Sequence, residues 1–309
     1  MASFVARRFA YTLLVMFAAS IVVFLTLRIT PGDPSNFAEN PLQTEERKAA
    51  VRHELGLDDP IFEQYSTFIT NVVTLDFGDS FITRQPIDDI IAQAAPNTLL
   101  LAFAALAIVL AVGIPLGVLA ALRRNTWFDR GVGIAAPLAM GIPPFVLAIL
   151  LINIVALQLG WLPVSGTGGL EYLILPAVVL AVEPAAVTVR LMRSSVLEEL
   201  GQDYVRTLRA KGLSERRIVW VHVLRNAVGP IVSLSAVQMR TLLGYTLIVE
   251  VIFRWPGLGQ ALVQSVLSRD FPVAQALSLL LTLAVVFLTF LADVGLAAAD
   301  PKVRRQATA

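Results

Sequence analysis

Six long runs of apolar residues constrain this chain more than any other feature. A helix needs roughly 20 mostly apolar residues to cross a hydrocarbon core about 30 Å thick. The runs are approximately Phe9–Leu27, Leu99–Leu122, Val132–Leu159, Tyr172–Val189, Ala227–Val249 and Ala274–Ala292. Only 15% of the 309 residues are charged, whereas soluble domains carry about 25%. The sequence therefore predicts an all-α polytopic membrane protein with about six spanning helices.

Proline and glutamate interrupt two of these runs. Pro176, Glu183 and Pro184 interrupt the fourth run, which makes it the weakest of the six predicted spans. Pro143 and Pro144 predict a bend in the third. Proline is tolerated in membrane helices where neighbouring helices or water satisfy the freed carbonyls. These helices are thus expected to be packed or to face a cavity.

Basic residues set the orientation. If the six runs alternate in direction, 16 of the 24 basic residues fall on one side. They are Arg7, Arg8, Arg123, Arg124, Arg130, Arg190, Arg193, Arg206, Arg209, Lys211, Arg216, Arg217, Arg225, Lys302, Arg304 and Arg305. The long connection Pro31–Ala95 falls on the other side, with 12 acidic and 4 basic residues. The positive-inside rule makes the basic side cytoplasmic, so both termini are predicted to be cytoplasmic.

The outer connection carries two helical patterns. Thr44, followed by two glutamates, is a plausible helix start, and Gly56 is a plausible stop. The stretch from Ile61 to Val73 places its apolar residues on one helical face. We expect a small helical cap over the outer mouth of the protein.

The loop between the fourth and fifth runs predicts two short helices joined by a sharp turn. Asp203 can cap the first, Gly212 has the conformational freedom to close it, and Ser214 can cap the second. Both Arg209 and Lys211 lie in the last turn of the first helix, where positive charge is favourable.

This loop has two interpretations from its residues alone. Tyr204, Val205 and Leu208 could form an apolar knob, within basic surroundings, that docks into a groove on a cytoplasmic partner. The other interpretation is a solvated basic loop that only obeys the positive-inside rule.

Ordered motifs along nearly the whole chain give it a resemblance to a known family. They are Thr30-Pro-Gly-Asp-Pro34, Leu55-Gly-Leu-Asp-Asp-Pro60, Gly113-Ile-Pro-Leu-Gly117, Leu159-Gly-Trp-Leu-Pro-Val-Ser-Gly166, Asp203-Tyr-Val-Arg206, Arg209-Ala-Lys-Gly-Leu213, Leu224-Arg-Asn-Ala227, Val249-Glu-Val-Ile-Phe253, Trp255-Pro-Gly-Leu-Gly259 and Asp300-Pro-Lys302. With these motifs the chain resembles ABC importer permeases of the dipeptide, oligopeptide and nickel type, the inner-membrane components of binding-protein-dependent transport.

The resemblance implies a fold, a location and partners. It implies a type I importer transmembrane domain in the cytoplasmic membrane of a prokaryote. It also implies a second permease that differs from this one, two P-loop ATPase subunits that bind ATP and Mg²⁺, an extracytoplasmic solute-binding protein and membrane lipid. The solute implied is a di- or oligopeptide, with a nickel chelate or a glutathione-like molecule as alternatives. The loop residues implied to couple to the ATPase are Tyr204, Arg206, Leu208, Arg209, Ala210, Lys211, Gly212, Leu213 and Ser214.

The chain is expected to divide into four regions. Residues 1–30 form the cytoplasmic end and first span, 31–95 an extracytoplasmic helical loop, 96–299 a permease core with five spans, and 300–309 a cytoplasmic tail. The core contains the coupling loop at 194–225 and an outer amphipathic stretch at 251–273.

Two charged residues are predicted to lie within the membrane. Glu183 falls near the middle of the fourth span and Arg240 near the middle of the fifth. Charges at that depth are costly unless they are paired or hydrated. They could form a mutual salt bridge, or line a central translocation path for solute. Asn153, Gln238 and Thr241 are further candidates for that path, although interhelical hydrogen bonds are the favoured interpretation for these three.

Residue usage argues against other classes of function. The chain has no cysteine and two distant histidines, so no metal site or bound cofactor is expected. None of its three lysines lies in a P-loop motif, so if transport is ATP-driven, another chain hydrolyses the ATP, and the chain is not predicted to be an enzyme. The near-neutral net charge of +1 gives no reason to expect nucleic acid. A less favoured alternative is an ion-coupled secondary transporter that uses Glu183.

Overall fold

The protein is helical throughout the part of the chain that the computed structural model describes, residues 2–29 and 58–299. Its elements are α1 (Ala2–Ile29), α2 (Ile61–Thr74), α3 (Ile87–Leu122), α4 (Trp127–Met140), α5 (Pro144–Leu151), the π-helical turn π1 (Ile152–Gln158), α6 (Leu170–Leu200), α7 (Asp203–Ala210), α8 (Glu215–Arg217), the π-helical turn π2 (Ile218–Val223), α9 (Leu224–Ala227), α10 (Gly229–Phe253), α11 (Leu258–Leu267) and α12 (Phe271–Ala299). Within these ranges the only β-type pairing is an isolated bridge between Asp79 and Pro86.

Five single helices are long and apolar enough to cross a membrane: α1, α3, α6, α10 and α12. A sixth span requires α4 and the α5–π1 segment to count together, and these meet at an angle of 104°. Five single helices and this bent pair confirm the count of about six spans, and the third predicted run is not one continuous helix. The break follows from Pro143 and Pro144, because proline has no N–H to donate and its ring excludes a continuous helix.

Two spans extend well past the apolar runs that predict them. Helix α3 begins at Ile87, with Asp88 and Asp89 in its first turn. Helix α6 continues to Leu200 and includes Glu198 and Glu199. Hydropathy marks only the part of a helix that lies in the hydrocarbon core, whereas the backbone hydrogen bonds continue into the aqueous ends.

The described residues fall into two compact units. One contains the residues up to Thr98 together with Pro256–Leu291, and the other contains Leu99–Trp255 and the last turns of α12.

In the second unit, α3 packs very closely on α6 through two glycines one helical turn apart. A Cβ placed on Gly113 would lie 2.7 Å from Cγ2 of Thr188, and one on Gly117 would lie 2.7 Å from the carbonyl oxygen of Val189. This is the small-xxx-small spacing that lets membrane helices approach each other. Alanine at either position would collide with α6.

In the first unit, α2 packs by its aromatic side chains against α1. The rings of Tyr65 and Phe24 are 5.1 Å apart, and the Tyr65 hydroxyl lies 2.8 Å from the hydroxyl of Ser20. The helix predicted over Ile61–Val73 is thus present as Ile61–Thr74. The pattern from Thr44 to Gly56 lies outside the described residues.

The first unit also contains a buried polar contact between its outer loop and the start of α12. The Ser80 hydroxyl donates to Asp270 at 2.5 Å, and the Phe81 N–H donates to the same carboxylate at 3.2 Å. Asp270 immediately precedes α12, so this carboxylate fixes the loop to the helix end.

Candidate functional site

The loop between α6 and α10, which is predicted to be cytoplasmic, forms a compact helical hairpin, residues 203–227. Helix α7 ends at Ala210, and Gly212 adopts a left-handed conformation with φ of +78°. Residues 215–227, hereafter the return segment, are helical through α8, π2 and α9 and lead into α10. The predicted pair of short helices around a Gly212 turn is confirmed.

The residues that cap the two short helices differ in detail from those predicted. Gln202, not Asp203, occupies the N-cap of α7, and Asp203 is the first helical residue. Its carboxylate instead lies 3.5 Å from Arg206. Ser214 occupies the N-cap position of α8, but its side chain makes no capping hydrogen bond. Acidic Asp203 still lies in the first turn, where it complements the helix dipole.

The apolar residues of α7 point into the protein, so of the loop's two interpretations the outward apolar knob is not supported. Val205 is fully buried, and Tyr204 and Leu208 are half-buried against the same cluster. This cluster consists of Val118, Ala121, Met192, Val196, Val205, Ile218, Val219, Val223, Ala227 and Ile231. The hairpin thus uses its apolar face to attach to the cytoplasmic ends of α3 and α6.

The outward surface of the hairpin is polar and basic. The residues of the predicted coupling loop that are exposed are Arg206, Arg209, Ala210, Lys211, Gly212 and Ser214, while Leu213 is half-buried. The resulting surface is complementary to an acidic or polar protein partner rather than to an apolar groove.

A polar cluster ties α7 to its neighbours. The Tyr204 hydroxyl donates to Glu199 at 2.6 Å, and the Asn226 amide donates to the Glu199 carboxylate and to the Tyr204 oxygen, each at 3.3 Å. Desolvation raises the pKa of Tyr204, and the hydrogen bond to Glu199 adds to the increase. The cluster links the end of α6, helix α7 and the return segment.

An ion pair closes the turn at Gly212. Arg209 donates to both carboxylate oxygens of Glu215, with distances of 2.6 and 3.1 Å. The hydrogen bond from Arg209 lowers the pKa of Glu215. The pair is exposed, so its contribution is to fix the shape of the turn rather than to add much stability.

A second ion pair was not anticipated from the sequence. Asp129, buried at the start of α4, accepts from Arg193 of α6 through Nε at 2.5 Å and Nη2 at 2.9 Å. It also accepts from the N–H of Asn125 at 2.9 Å. The signal present in the sequence was the spacing Thr126-x-x-Asp129, which is typical of a capping box. The partner, 64 positions away, had no local signal.

Glu183 and Arg240 do not form the salt bridge that was one of their two interpretations. Glu183 is half-buried and Arg240 is exposed. Among the described residues, neither side chain has an ion-pair or hydrogen-bond partner. The two charges are therefore available to solvent or to a bound molecule.

The three secondary candidates for the translocation path make internal hydrogen bonds. Buried Gln238 joins α10 to α6, donating to the Pro184 carbonyl at 2.9 Å and to the Thr188 hydroxyl at 3.1 Å. Its interhelical interpretation is confirmed. Asn153 is exposed and accepts from Gln158 at 2.7 Å within π1, and Thr241 donates to Val237 at 3.4 Å within α10. Neither makes an interhelical hydrogen bond within the described residues.

Two family models together match almost the entire chain. The model described as "Binding-protein-dependent transport system inner membrane component" matches residues 113–305. Its N-terminal companion, "Binding-prot-dependent transport system membrane comp, N-term", matches residues 1–102. The hairpin, the ion pair at Asp129 and both intramembrane charges lie within the first match.

Relatives and solved structures agree with these matches. The chain is 39% identical over 304 residues to the glutathione transport system permease protein GsiC of Escherichia coli (strain K12), covering 98% of this chain and 99% of the relative. GsiC of Shigella flexneri serotype 5b (strain 8401) is 38% identical over the same length. The fold resembles the inward-facing MetNI methionine ABC transporter, with a TM-score of 0.58, 23% identity and coverage of 68% of this chain and 96% of that chain.

Proposed function

Because the chain belongs to the family of binding-protein-dependent transport system inner membrane components, and is thus a permease subunit of an ABC importer, we propose that it forms part of the import path for small peptides of the glutathione and di- or oligopeptide class. The supporting observation is similarity to a glutathione permease along 98% of the chain. Glutathione is itself a small peptide, so this solute class also agrees with the peptide-permease motifs.

Membership of this family settles two coarser matters. The chain is a multi-pass protein of the inner membrane and a transport subunit rather than an enzyme. ATP is hydrolysed on separate subunits, which excludes the ion-coupled secondary transporter considered for Glu183.

The hairpin is the proposed contact with the ATPase. Its exposed residues Arg206, Arg209 and Lys211 would meet the partner, and its inward residues Tyr204 and Leu208 would transmit movement to the ends of the spanning helices. A rigid hairpin suits this role because the ion pair between Arg209 and Glu215 and the packing of Val205 hold it as one body. Gly212, Leu213, Ala210 and Ser214 complete the proposed contact.

The proposed assembly contains four other chains. A second permease, distinct from this one, would complete the path, and two ATPase subunits would bind ATP and Mg²⁺. An external solute-binding protein would deliver solute to the extracytoplasmic side, where residues 31–95 and 251–273 are proposed to receive it.

The intramembrane charges are the proposed solute contacts. A peptide carries a carboxylate at one end and an amine at the other, and Arg240 and Glu183 carry the complementary charges. Neither is paired among the described residues, so each can meet solute without first breaking an ion pair. Asn153, Thr241 and Gln238 are proposed only as neighbouring groups of this path, and Gln238 is committed to Pro184 and Thr188.

Site-specific cross-linking tests the coupling contact. The chain has no cysteine, so Arg206→Cys introduces a single thiol on the exposed face of α7. With the chain co-expressed with its chromosomal neighbours, this thiol should cross-link to a P-loop subunit. Arg225→Cys, also exposed on the cytoplasmic side, is the matched control and should cross-link weakly. A complex that purifies without any P-loop subunit would contradict the assignment.

Peptide analogues test the role of Arg240. A charge-assisted hydrogen bond is worth about 1.5–3 kcal/mol, so Arg240→Ala should raise the KM for uptake of a free peptide at least tenfold. Amidation of the peptide carboxylate should have a similar effect on the wild type and little further effect on the variant. Equal loss of uptake for both peptides, accompanied by loss of assembly, would make Arg240 structural.

A further inference from the structure

A basic and aromatic groove lies on the outward face of the return segment. It has a volume of about 390 Å³ and is lined by Ser214, Arg216, Arg217, Trp220 and Val221. Trp220 is 51% exposed and Val221 is 54% exposed. Two guanidinium groups therefore stand beside an indole ring and an aliphatic side chain, and all of them are open to a ligand. Ser214, at the hairpin end of the groove, also belongs to the proposed ATPase contact.

The positive charge of the groove is not neutralised by the hairpin. Within the described chain, Arg216 and Arg217 have no ion-pair or hydrogen-bond partner. The nearest acid in sequence, Glu215, has both carboxylate oxygens engaged by Arg209. Arginine presents a planar fork of donors that suits phosphate oxygens. The groove is therefore complementary to a phosphate-bearing anion.

The packing of the return segment shows at which level of the membrane the groove lies. On the opposite side of the segment, Ile218 and Val219 are buried in one cluster with Val118 and Ala121 of α3. Helix α3 stays apolar up to Leu122, and Arg123 and Arg124 follow it directly. That change marks the cytoplasmic edge of the hydrocarbon core, since basic residues collect there. The groove thus lies at the level of the cytoplasmic headgroups.

We propose that this groove binds the headgroup of an anionic phospholipid from the cytoplasmic leaflet. Arg216 and Arg217 hold the phosphodiester, and Trp220 lies at the interface, where tryptophan is enriched in membrane proteins. Val221 contacts the beginning of an acyl chain. The cytoplasmic leaflet supplies the ligand because its anionic lipids attract basic clusters at this level.

The position of the site connects lipid binding to the hairpin. The groove begins at Ser214, two residues after the Gly212 turn, and continues along the segment that leads into α10. A bound headgroup would restrain the return segment on the side opposite to its apolar cluster. Anionic lipid is therefore expected to restrain the return segment and, through it, the hairpin.

Native mass spectrometry of the whole importer complex provides the first test, with phosphatidylglycerol and phosphatidylcholine as probes. The wild-type complex should retain phosphatidylglycerol in preference to phosphatidylcholine. The double variant Arg216→Gln/Arg217→Gln should bind phosphatidylglycerol at least tenfold more weakly. The matched control Arg124→Gln/Arg225→Gln removes two charges from the same side of the membrane outside the groove, and should retain wild-type binding.

Fluorescence quenching provides a second readout, which does not depend on loss of a charge. Brominated phosphatidylglycerol should quench the tryptophan fluorescence of the wild-type complex more than brominated phosphatidylcholine does. The substitution Trp220→Phe should abolish that difference. Equal quenching by the two lipids would overturn the proposal. So would displacement of the lipid by millimolar inorganic phosphate, which indicates a soluble anion. Loss of the ATPase subunits from the groove variant, with phosphatidylglycerol binding unchanged, would assign the groove to the ATPase instead.

Discussion

At the scale of single residues, the hairpin depends most on the backbone conformation of Gly212. Its φ of +78° lies in the left-handed region, and a Cβ added there would meet no atom within 4 Å. Space is thus not the constraint, and any effect of a substitution must come from the backbone. Left-handed φ is costly for most L-residues and is tolerated best by glycine and asparagine.

The first prediction follows from the left-handed backbone of Gly212. Gly212→Val should destabilise the hairpin by about 1–2 kcal/mol and reduce the amount of ATPase retained through size-exclusion chromatography. Gly212→Asn should retain nearly the wild-type amount, because asparagine tolerates the same φ. If both variants lose the ATPase equally, the side chain and not the backbone would be responsible.

The second prediction concerns the ion pair between Asp129 and Arg193. Removing Arg193 leaves the buried Asp129 carboxylate with only the Asn125 N–H as a donor, so Arg193→Ala should lower the free energy of unfolding by about 1.5–3 kcal/mol. Arg206→Ala is the control, since Arg206 and its partner Asp203 are 78% and 96% exposed and should contribute almost nothing. Thermal unfolding of the detergent-solubilised chain, separated from the ATPase that Arg206 is proposed to contact, measures both. Similar midpoint temperatures of unfolding for the two variants would contradict a stabilising role of the ion pair between Asp129 and Arg193.

At the scale of elements, close packing between α3 and α6 can be tested with glycine substitutions. Gly117→Ala would place a Cβ 2.6 Å from Cβ of Met192 and 2.7 Å from the Val189 carbonyl oxygen. Overpacking of this kind should cost about 1–3 kcal/mol. Gly131→Ala in α4 is the matched control, because its Cβ would meet nothing within 4 Å, and it should be neutral or slightly stabilising.

The ion pair that closes the hairpin turn predicts a particular pH dependence. The hydrogen bond that Arg209 donates lowers the pKa of Glu215 below the ordinary value of 4.5. A group with a lowered folded-state pKa contributes stability above its unfolded pKa and loses it as the pH falls through the folded value. Protection of the turn in hydrogen exchange should therefore be constant from pH 6 to 8 in the wild type. It should weaken only in acid, below about pH 4.5. Glu215→Gln should show no such acid-dependent change, and an equal change in that variant would rule out the ion pair as its cause.

Sequence patterns were sufficient for most elements because each depends on neighbouring residues. The span lengths follow from apolar runs, and the turn at Gly212 follows from one glycine between two helical patterns. The orientation of α7 did not follow, because Val205 and Leu208 are apolar in either case. Only the cluster around Met192 and Ile218 determines that they face inward.

The missed parts of the site depend on residues distant in sequence. Asp129 and Arg193 are 64 positions apart, and Gln238 and Pro184 are 54 apart. The charge or polarity of each residue marked it as a candidate in the sequence. Its partner, however, is determined only by how α4, α6 and α10 pack together. The sequence likewise left Glu183 and Arg240 open between two interpretations, and the packing of their helices leaves them unpaired.

At the scale of the whole molecule, the protein is a permease subunit whose features fit a larger complex. Its exposed hairpin surface is basic, two of its intramembrane charges have no partner among the described residues, and it has no nucleotide-binding motif. Each of these features is explained if a cytoplasmic ATPase, a second permease and a solute complete the site. A self-sufficient transporter would leave the hairpin without a role.

ATP-driven uptake into proteoliposomes tests this central claim most directly. The purified importer, with its binding protein outside and ATP inside, should accumulate radiolabelled glutathione or a small peptide. Accumulation should require ATP, the ATPase subunits and the binding protein, and it should fall sharply with Gly212→Val. Uptake by this chain alone, driven by an ion gradient and indifferent to ATP, would contradict the account.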